Sequence, residues 1–270
     1  MDIIKYGFMQ NALVAALLAG LLCGLIGVIV VEKRLVMLTG GVAHTAYGGV
    51  GLGYLCGFSP LLGATLFSLG AAFGIGALRR RGGQRTEVLI SLFWALGMAA
   101  GMIFVDLTPG TTPAIDSYLF GSILTVSASD LWLMGALTAI ALFVFLALYQ
   151  DFKAYLFDST FASVAGMRVR VLEYTMLALI ALATVVLLRV TGIMLTIALL
   201  AAPAAASAML TRRLLPRMGC AALISVAVSV VGLFLSYLLD LQPGPVIVAL
   251  AILVYAATAV LRALRTSRTR

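Results

Sequence analysis

Charged residues are scarce in this chain of 270 residues: they make up only 10% of it, whereas hydrophobic residues make up 63%. Ordinary soluble domains are about 25% charged and roughly 45–50% apolar. A globular protein of this length could not bury so much apolar surface in one core. A lipid bilayer accepts such a chain, because lipid solvates the outer faces of membrane-spanning helices. The composition therefore predicts an integral membrane protein.

The motifs of several enzyme classes are also missing. None of the three lysines, which follow Ile4, Glu32 and Phe152, ends a G-x-x-x-x-G-K-[ST] phosphate loop. No G-x-S-x-G or H-E-x-x-H occurs, and the single histidine leaves no histidine pair for a metal-dependent catalyst. The three cysteines form no C-x-x-C pair, so no thiolate zinc site is indicated. We therefore expect a protein that is not an enzyme, not even an intramembrane one, and that does not hydrolyse ATP itself.

Nine hydrophobic runs approach the length of about 20 residues that a spanning helix needs. They occupy residues 8–31, 36–56, 60–78, 87–105, 129–150, 171–190, 192–210, 218–239 and 244–262. These runs predict an all-α fold, in which residues 1–270 form one domain. We expect a polytopic bundle of about nine transmembrane helices, with eight as the alternative.

The charges predict the orientation of this bundle. One set of gaps between the runs, together with the C-terminal tail, holds Lys33, Arg34, Arg79, Arg80, Arg81, Arg85, Lys153, Arg168, Arg170, Arg212, Arg213, Arg217, Arg262, Arg265, Arg268 and Arg270, which are 16 of the 18 basic residues. The opposite gaps hold Asp106, Asp116, Asp130 and Asp240. Cytoplasmic loops are enriched in Lys and Arg, so we predict an outside N-terminus and a cytoplasmic C-terminus. This distribution also argues against a nucleic-acid-binding surface, despite the net charge of +8.

Two gaps are longer than simple turns. The outside segment 106–128 contains a short apolar stretch from Tyr118 to Leu124, which could form an interfacial or re-entrant half-helix. In the inside segment 151–170, apolar residues recur at near-helical spacing, which predicts a short amphipathic helix at the cytoplasmic surface.

Runs two and seven are rich in small residues, which let helix backbones approach closely inside a membrane bundle. We expect both runs in the interior, with Gly40, Gly49, Gly53 and Pro203 packed along a transport path. Pro203 should interrupt run seven by a packing kink.

His44 lies in the middle of run two. An ionisable residue at this depth is costly and indicates a pathway or binding site, and imidazole is a common metal ligand. The alternative is a histidine that hydrogen-bonds a neighbouring backbone. Glu87 and Glu173 open runs four and six, where the helix dipole favours an acid.

Five strings in a fixed order give a family resemblance over residues 8–262. They are FMQNALVAALLAGLLCGLIGVIVV from Phe8, AHTAYGGVGLGYL around His44, SYLFGSILTVSASDL from Ser117, FDSTFASVAGM from Phe157, and TGIMLTIALLAAPAAASAML from Thr191. In these strings the chain resembles the permease subunits of ATP-binding-cassette importers for manganese, zinc and iron, the ABC-3 family.

This resemblance implies an ATP-dependent importer of divalent metal ions in a bacterial cytoplasmic (inner) membrane. The permease would bind no cofactor of its own and would pair with a second copy or a sister permease. Two cytoplasmic ATP-binding subunits would use the ATP, and an extracytoplasmic metal-binding lipoprotein or periplasmic binding protein would deliver the metal. The segment 151–170 would couple the permease to the ATPases, chiefly through Phe157, Asp158, Phe161, Ala162 and Gly166.

The resemblance also bears on the metal path. His44 aligns with the histidine of the family's D-x-x-x-H element, but the aspartate position is Gly40 here. This departure implies a partnership with a different permease, a different metal, or a contribution from Glu87. One histidine does not choose among manganese, zinc and iron. An ATP-independent secondary transporter or cation channel is the alternative function, and a structural membrane protein is a third.

Overall fold

The computed structural model describes residues 6–81, 85–109 and 123–267, and within these ranges the chain is helical, with no β-strand. The helices are α1 (Gly7–Glu32), α2 (Val36–Cys56), α3 (Pro60–Arg81), α4 (Thr86–Asp106), α5 (Ala128–Ala147), α6 (Tyr149–Phe157), α7 (Ser159–Val164), α8 (Val169–Leu210), α9 (Leu214–Leu239) and α10 (Pro243–Ser267). The all-α prediction is confirmed, and the predicted runs match the helices to within a few residues at most of their ends.

Seven of the described helices, α1, α3, α4, α5, α8, α9 and α10, are long and apolar enough to cross a membrane. The helix α2 also has 21 residues, but its glycines and His44 leave it less hydrophobic than its neighbours. Among these seven helices α8 is counted once, although its 42 residues are enough for two spans of about 20 residues each. The chain is therefore a multi-pass membrane protein, and the number of passes depends on α2 and α8.

Basic side chains gather at one end of the bundle, where α1 and α3 end and α9 begins. We call this the basic end and define it by Lys33, Arg79, Arg80 and Arg217. Lys33 donates a hydrogen bond to the backbone carbonyl oxygen of a residue in α6 at 2.6 Å, so the short helices α6 and α7 lie at the same end. These basic residues, which the charge pattern assigned to one side, therefore do lie together.

The helix α8 turns back on itself at Gly192. Its φ of 76° and ψ of 172° are not helical, and this left-handed region of φ favours glycine. Near the start of α8, Glu173 binds two arginines of the basic end. Arg189 pairs instead with Asp130 at 2.5 Å, at the start of α5 and the opposite end of the bundle. The carbonyl oxygen of Thr211 then accepts a hydrogen bond from Arg217 at 3.2 Å, so both termini of α8 lie at the basic end.

This turn differs from the prediction in one respect. The sequence analysis divided runs six and seven correctly at residue 191, but it expected Pro203 to interrupt run seven. Pro203 instead lies buried inside helical backbone, and the non-helical angles belong to Gly192. A proline removes only one hydrogen bond from a helix, whereas positive φ at a glycine redirects the chain.

The interior position predicted for α2 is confirmed by its packing. A Cβ atom added at Gly49 would overlap the carbonyl oxygen of Gly63 in α3, and one added at Gly53 would lie 2.8 Å from the Cα of Pro60. On its other side, a Cβ at Gly48 would lie 2.8 Å from the carbonyl oxygen of Gly97 in α4. The glycines therefore let α2 lie against the backbones of two neighbouring helices at once.

The two long gaps differ from their predictions where the structure describes them. The segment 151–170 forms two short helices, α6 and α7, divided at Asp158, rather than one amphipathic helix. Residues 123–125 form a single 3-10 turn. Residues 118–122, where most of the predicted half-helix falls, lie outside the described residues, as does Asp116.

The contact between α2 and α3 predicts that Gly49→Ala strongly destabilises the bundle. The added methyl group has no room against the Gly63 carbonyl, and overpacking of this kind costs about 1–3 kcal/mol or more. Gly70→Ala in α3 is the matched control, because a Cβ there meets no atom within 4 Å. Thermal unfolding of the purified variants in detergent should show a lower midpoint for Gly49→Ala alone. Equal midpoints would contradict the packing described.

Candidate metal contact and coupling surface

The His44 side chain is partly buried in the bundle and is stacked on an aromatic ring. Its imidazole is 4.1 Å from the ring of Trp94 in α4, measured between centroids, with an angle of 14° between the planes. The Nδ1 atom of His44 is buried and has no hydrogen-bond partner among the described residues. Most buried polar atoms are paired, so an unpaired ring nitrogen in this position is suited to a ligand. The alternative, in which His44 hydrogen-bonds a neighbouring backbone group, is not supported at Nδ1 among the described residues.

Gly40 lies beside the same tryptophan. It lies one helical turn before His44, and a Cβ there would lie 3.4 Å from the Cζ3 atom of Trp94 and 3.5 Å from the Cδ1 atom of Ile197. The side-chain position that precedes His44 by four residues therefore faces an indole ring and an aliphatic chain. Beside His44 the wall is aromatic and aliphatic, with no carboxylate from this element.

Glu87 is exposed in the first turn of α4, seven residues before Trp94. Seven helical residues span about 10 Å along the axis. The structure therefore does not bring Glu87 to His44 in this chain. Across the described residues, no group of three His, Cys, Asp or Glu side chains could hold a metal ion. The described residues of one chain therefore form no closed coordination cage around His44.

Trp94 was missed by the sequence analysis, although the sequence does contain a signal for it. Tryptophan in membrane proteins is enriched at the two interfaces with water. Trp94 instead lies near the middle of α4, where a partner for its ring was to be expected. Single-sequence reasoning had no means of placing α4 beside α2, so the partner could not be named.

Glu173 is the second residue whose role the structure changes. Its carboxylate is bound by the guanidinium groups of both Arg79 and Arg80, and its side chain is only 5% exposed. The helix-dipole explanation that the sequence suggested is therefore incomplete. A buried carboxylate needs partners of this kind to offset its desolvation. The arginines fix the end of α3 to the beginning of α8.

The helices α6 and α7 present large apolar side chains at the surface of the protein. Phe157 is 94% exposed, Phe161 62% and Val164 85%. Leu156 and Ala162, by contrast, are buried against the bundle. Of the predicted coupling residues, Phe157 and Phe161 therefore form an exposed aromatic pair, and Ala162 is a buried anchor. Gly166 follows α7 with a φ of 78° and no neighbouring atom near a Cβ position, so it serves the backbone turn.

A groove of about 1050 Å³ lies between α6–α7 and the α8–α9 connection. Phe157, Phe161 and Leu215 contribute apolar surface to it, and Lys153, Arg212 and Arg213 contribute positive charge. We call these two helices and the groove the coupling surface, comprising residues 149–166 and 211–217. It combines the apolar side chains and the charge typical of a protein interaction site.

Asp158 caps α7. Its Oδ1 atom accepts hydrogen bonds from the backbone N–H groups of Phe161 at 3.1 Å and Thr160 at 2.7 Å. These two bonds favour the ionised carboxylate and hold the pKa of Asp158 below its usual value. Asp158 thus fixes the angle between α6 and α7 and with it the relative positions of Phe157 and Phe161.

The comparisons with known proteins agree with this architecture. The profile of the ABC 3 transport family matches residues 5–262, so the chain belongs to this family. An uncharacterized membrane protein of Synechocystis sp. is 44% identical over 252 residues, which cover 93% of this chain and 90% of that protein. The manganese transport system membrane protein MntC of Listeria innocua is 29% identical over 255 residues, covering 94% of this chain and 90% of MntC.

Two solved structures share the fold. One is PsaBC from Streptococcus pneumoniae in complex with Fab, with a TM-score of 0.85 and 25% identity over 95% of this chain and 92% of that chain. The other is an inward-facing conformation of a putative metal-chelate type ABC transporter, with a TM-score of 0.72 and 18% identity over 98% of this chain and 88% of that chain. The family resemblance drawn from the sequence is therefore confirmed.

The Asp158 cap predicts a pH dependence of α7. A lowered pKa means that the cap is fully formed above the ordinary Asp pKa of about 3.9 and is lost as the pH falls through the lowered value. Hydrogen exchange at the Thr160 and Phe161 amides, corrected for its intrinsic pH dependence, should therefore show protection at neutral pH that disappears in acid. Asp158→Asn keeps a capping oxygen that does not titrate and should remove the pH dependence. Unchanged protection in Asp158→Ala would contradict the cap.

Proposed function

We propose that this chain is the permease subunit of an ATP-dependent importer of divalent metal ions. The observation that carries the proposal is His44, whose unpaired Nδ1 atom lies midway along an interior helix of an ABC 3 family member. Manganese is the first candidate for the metal, since the named relatives include a manganese transport protein. Zinc and iron also accept imidazole and stay as candidates.

Nine passes are the proposed topology. The helix α2 is buried between α3 and α4, and the two halves of α8 run in opposite directions, so each can be counted as a pass beside the six other long helices. The basic end would then face the cytoplasm of a bacterium, since Lys and Arg favour that side. The N-terminus would lie outside and the C-terminus in the cytoplasm.

The single metal contact in each chain supports a pair of permeases. Two copies, or one copy and a sister permease, would bring a second imidazole or other ligand to the path. Transfer of an ion along a path requires contacts that are weak enough to release it. Two opposed side chains meet this requirement better than a closed cage. A metal-binding lipoprotein or periplasmic protein would supply the ion from outside.

The coupling surface is the proposed docking site of the cytoplasmic ATPase subunits. It lies at the basic end, and its exposed Phe157 and Phe161 would be buried by a partner. The positive charge of Arg212 and Arg213 suits a partner surface with acidic side chains. Movement of the ATPases would reach the bundle through α6 and α7 and open the path past His44 alternately to each side.

Metal uptake tests the role of His44. Cells lacking this permease, complemented with His44→Ala, should accumulate the transported metal at least about tenfold more slowly than with the wild-type chain, since loss of even indirect support for a metal ligand typically costs 10–100-fold. Each of manganese, zinc and iron is assayed separately.

Thr45→Ala would be a poor control, because the Thr45 hydroxyl bonds the Phe93 carbonyl at 3.0 Å. Cys23→Ala, in the interior of α1, is the matched control and should transport normally. Unchanged uptake in His44→Ala would remove the metal contact from the proposal.

The coupling surface predicts a requirement for its aromatic pair. Burial of a phenylalanine side chain contributes about 1.5–3 kcal/mol, so Phe157→Ser with Phe161→Ser should weaken ATPase binding by at least about 100-fold. The measurement is co-purification with the ATPase in mild detergent, followed by a binding titration. Leu107→Ser is the control, because Leu107 is 63% exposed beyond the end of α4, away from the basic end. Transport that persists in liposomes without any ATPase would favour the secondary transporter instead.

A further inference from the structure

We propose that Lys33 is the positioning residue that transmits movement of α6 to α2, and so couples ATP hydrolysis to motion of His44. The proposal rests on the proposed function, because it requires an ATPase that moves α6 and α7. Lys33 was noted in the sequence only as a charge that marks one side of the membrane. Its contacts assign it a mechanical role as well.

Lys33 holds α6 by two contacts with one residue. Its Nζ atom donates a hydrogen bond to the backbone carbonyl oxygen of Tyr155 at 2.6 Å, and it also lies 3.9 Å from the centroid of the Tyr155 ring. Tyr155 is itself buried, with 3% of its surface exposed. A charge-assisted hydrogen bond and a cation–π contact on a buried partner form a stiff connection. Phe157, two residues further along α6, belongs to the exposed aromatic pair.

The same lysine is rigidly joined to α2. It caps α1, and the next residue, Arg34, has a φ of 55°. The backbone N–H of Leu35 bonds the Val30 carbonyl at 2.8 Å, and that of Arg34 bonds the Val31 carbonyl at 3.1 Å. This pair of bonds is the usual tight closure of a helix C-terminus. The helix α2 begins directly afterwards, so a displacement of Lys33 reaches α2 without a flexible linker.

His44 is eight residues from the first residue of α2, which corresponds to about 12 Å along the helix axis. A continuous path of bonded groups therefore runs from the exposed aromatic pair to the proposed metal contact. It passes from α6 through Tyr155 and Lys33 into the turn and then along α2. Coupling between distant sites travels through rigid elements and bonded networks of this kind.

Charges from two other helices surround Lys33. Burial lowers its pKa, as does the nearby positive charge of Arg79, while the carboxylate of Glu173 acts in the opposite direction, followed by Asp158 and Glu32. Arg79 and Glu173 are themselves ion-paired. Lys33 therefore lies where α1, α3, α6 and α8 meet.

Arg34 provides a matched comparison. It is adjacent to Lys33 and carries the same charge, but its side chain is exposed and it is not among the residues that line the groove of the coupling surface. Glu32 is less suitable, because it lines that groove and pairs with Arg217 of the coupling surface. A general effect of charge at the α1 terminus would be produced by changes at either basic residue. Only the loss of Lys33 would disconnect α6.

The experiment uses the complete transporter, with ATPase subunits and binding protein, reconstituted in proteoliposomes. Metal uptake and ATP hydrolysis are measured in the same sample. Lys33→Met keeps an apolar stem but removes the donor and the charge, and it should lower the metal imported per ATP by about tenfold, within the range of 5–150-fold typical of couplings between sites. ATPase binding should be unchanged. Lys33→Arg should restore much of the ratio, and Arg34→Gln should leave it unaltered.

Tyr155→Phe separates the contacts of Lys33 from the phenol group. It keeps the carbonyl oxygen and the aromatic ring, so its ratio of metal to ATP should be close to that of the wild-type chain. A spin label at Val164 and another at Met37, both exposed positions, would report the two ends of the connection. Addition of ATP should shift both labels in the wild-type complex and only the Val164 label in Lys33→Met.

The outcomes are distinct. A normal ratio of metal to ATP in Lys33→Met, or an equal loss in Arg34→Gln, would overturn the proposal. A parallel loss of uptake, ATP hydrolysis and thermal stability would also overturn it, because Lys33 would then be a structural residue only. If the wild-type chain imports no divalent metal with any ATPase, the proposed function fails, and the role of Lys33 falls with it.

Discussion

The close backbone contact of α2 with α3 and α4 is the constraint on which the other features depend. Lipid offers no hydrophobic drive for helices to associate, so a helix enters the interior of a bundle by fitting closely. In α2 this fit is made by Gly48, Gly49 and Gly53. An interior helix can carry a polar side chain that would be costly against lipid. The glycines therefore make the position of His44 possible.

The same constraint accounts for the composition of α2. A helix that faces lipid must be strongly apolar, as α4, α5 and α10 are. A helix that is shielded on most sides has no such requirement, although α1 and α8 are both buried and apolar. The low hydropathy of α2 is thus compatible with its buried position and is not evidence against its being a transmembrane helix.

The ion pairs of Glu173 and Arg189 lie at the two ends of the bundle. At the basic end Glu173 is enclosed by two arginines, and at the opposite end Arg189 pairs with Asp130. A buried ion pair gives modest net stability, but the loss of one partner leaves an uncompensated charge. Such pairs therefore specify which helix ends lie together. In this chain they hold the start of α8 and its turn at opposite ends.

Much of the fold could be predicted from the sequence, because each long helix is a run of apolar residues and each charge cluster marks a gap. The boundary between runs six and seven was also visible, and it adjoins the turn at Gly192. The positive φ of that glycine was not predicted, since a glycine followed by more apolar residues has no distinctive pattern. Pro203 gave a stronger local signal and proved to be helical. Local rules rank proline above glycine as a helix breaker, and the tertiary contacts of α8 decided otherwise.

The candidate site was predicted less completely. His44 stood out because a lone histidine in an apolar run is rare. Its neighbour Trp94 and the arginines around Glu173 depend on which helices adjoin, and one sequence contains no record of that. The single predicted helix over 151–170 became two, because Asp158 satisfies the amides of a new helix start. Asp within a polar segment is a known start signal, so this division could have been predicted.

Gly40 and Trp94 together bear on the chemistry of transport. An imidazole against an indole ring offers nitrogen as the donor, with no oxygen from the residue one turn earlier. Manganese prefers oxygen ligands, whereas zinc and iron accept imidazole readily. A tight manganese site would therefore be poorly served by this arrangement. A path has a different requirement, since an ion must be held briefly and released. Weak contact with manganese would then be compatible with transport, and the selection of the metal would fall to the protein that delivers it.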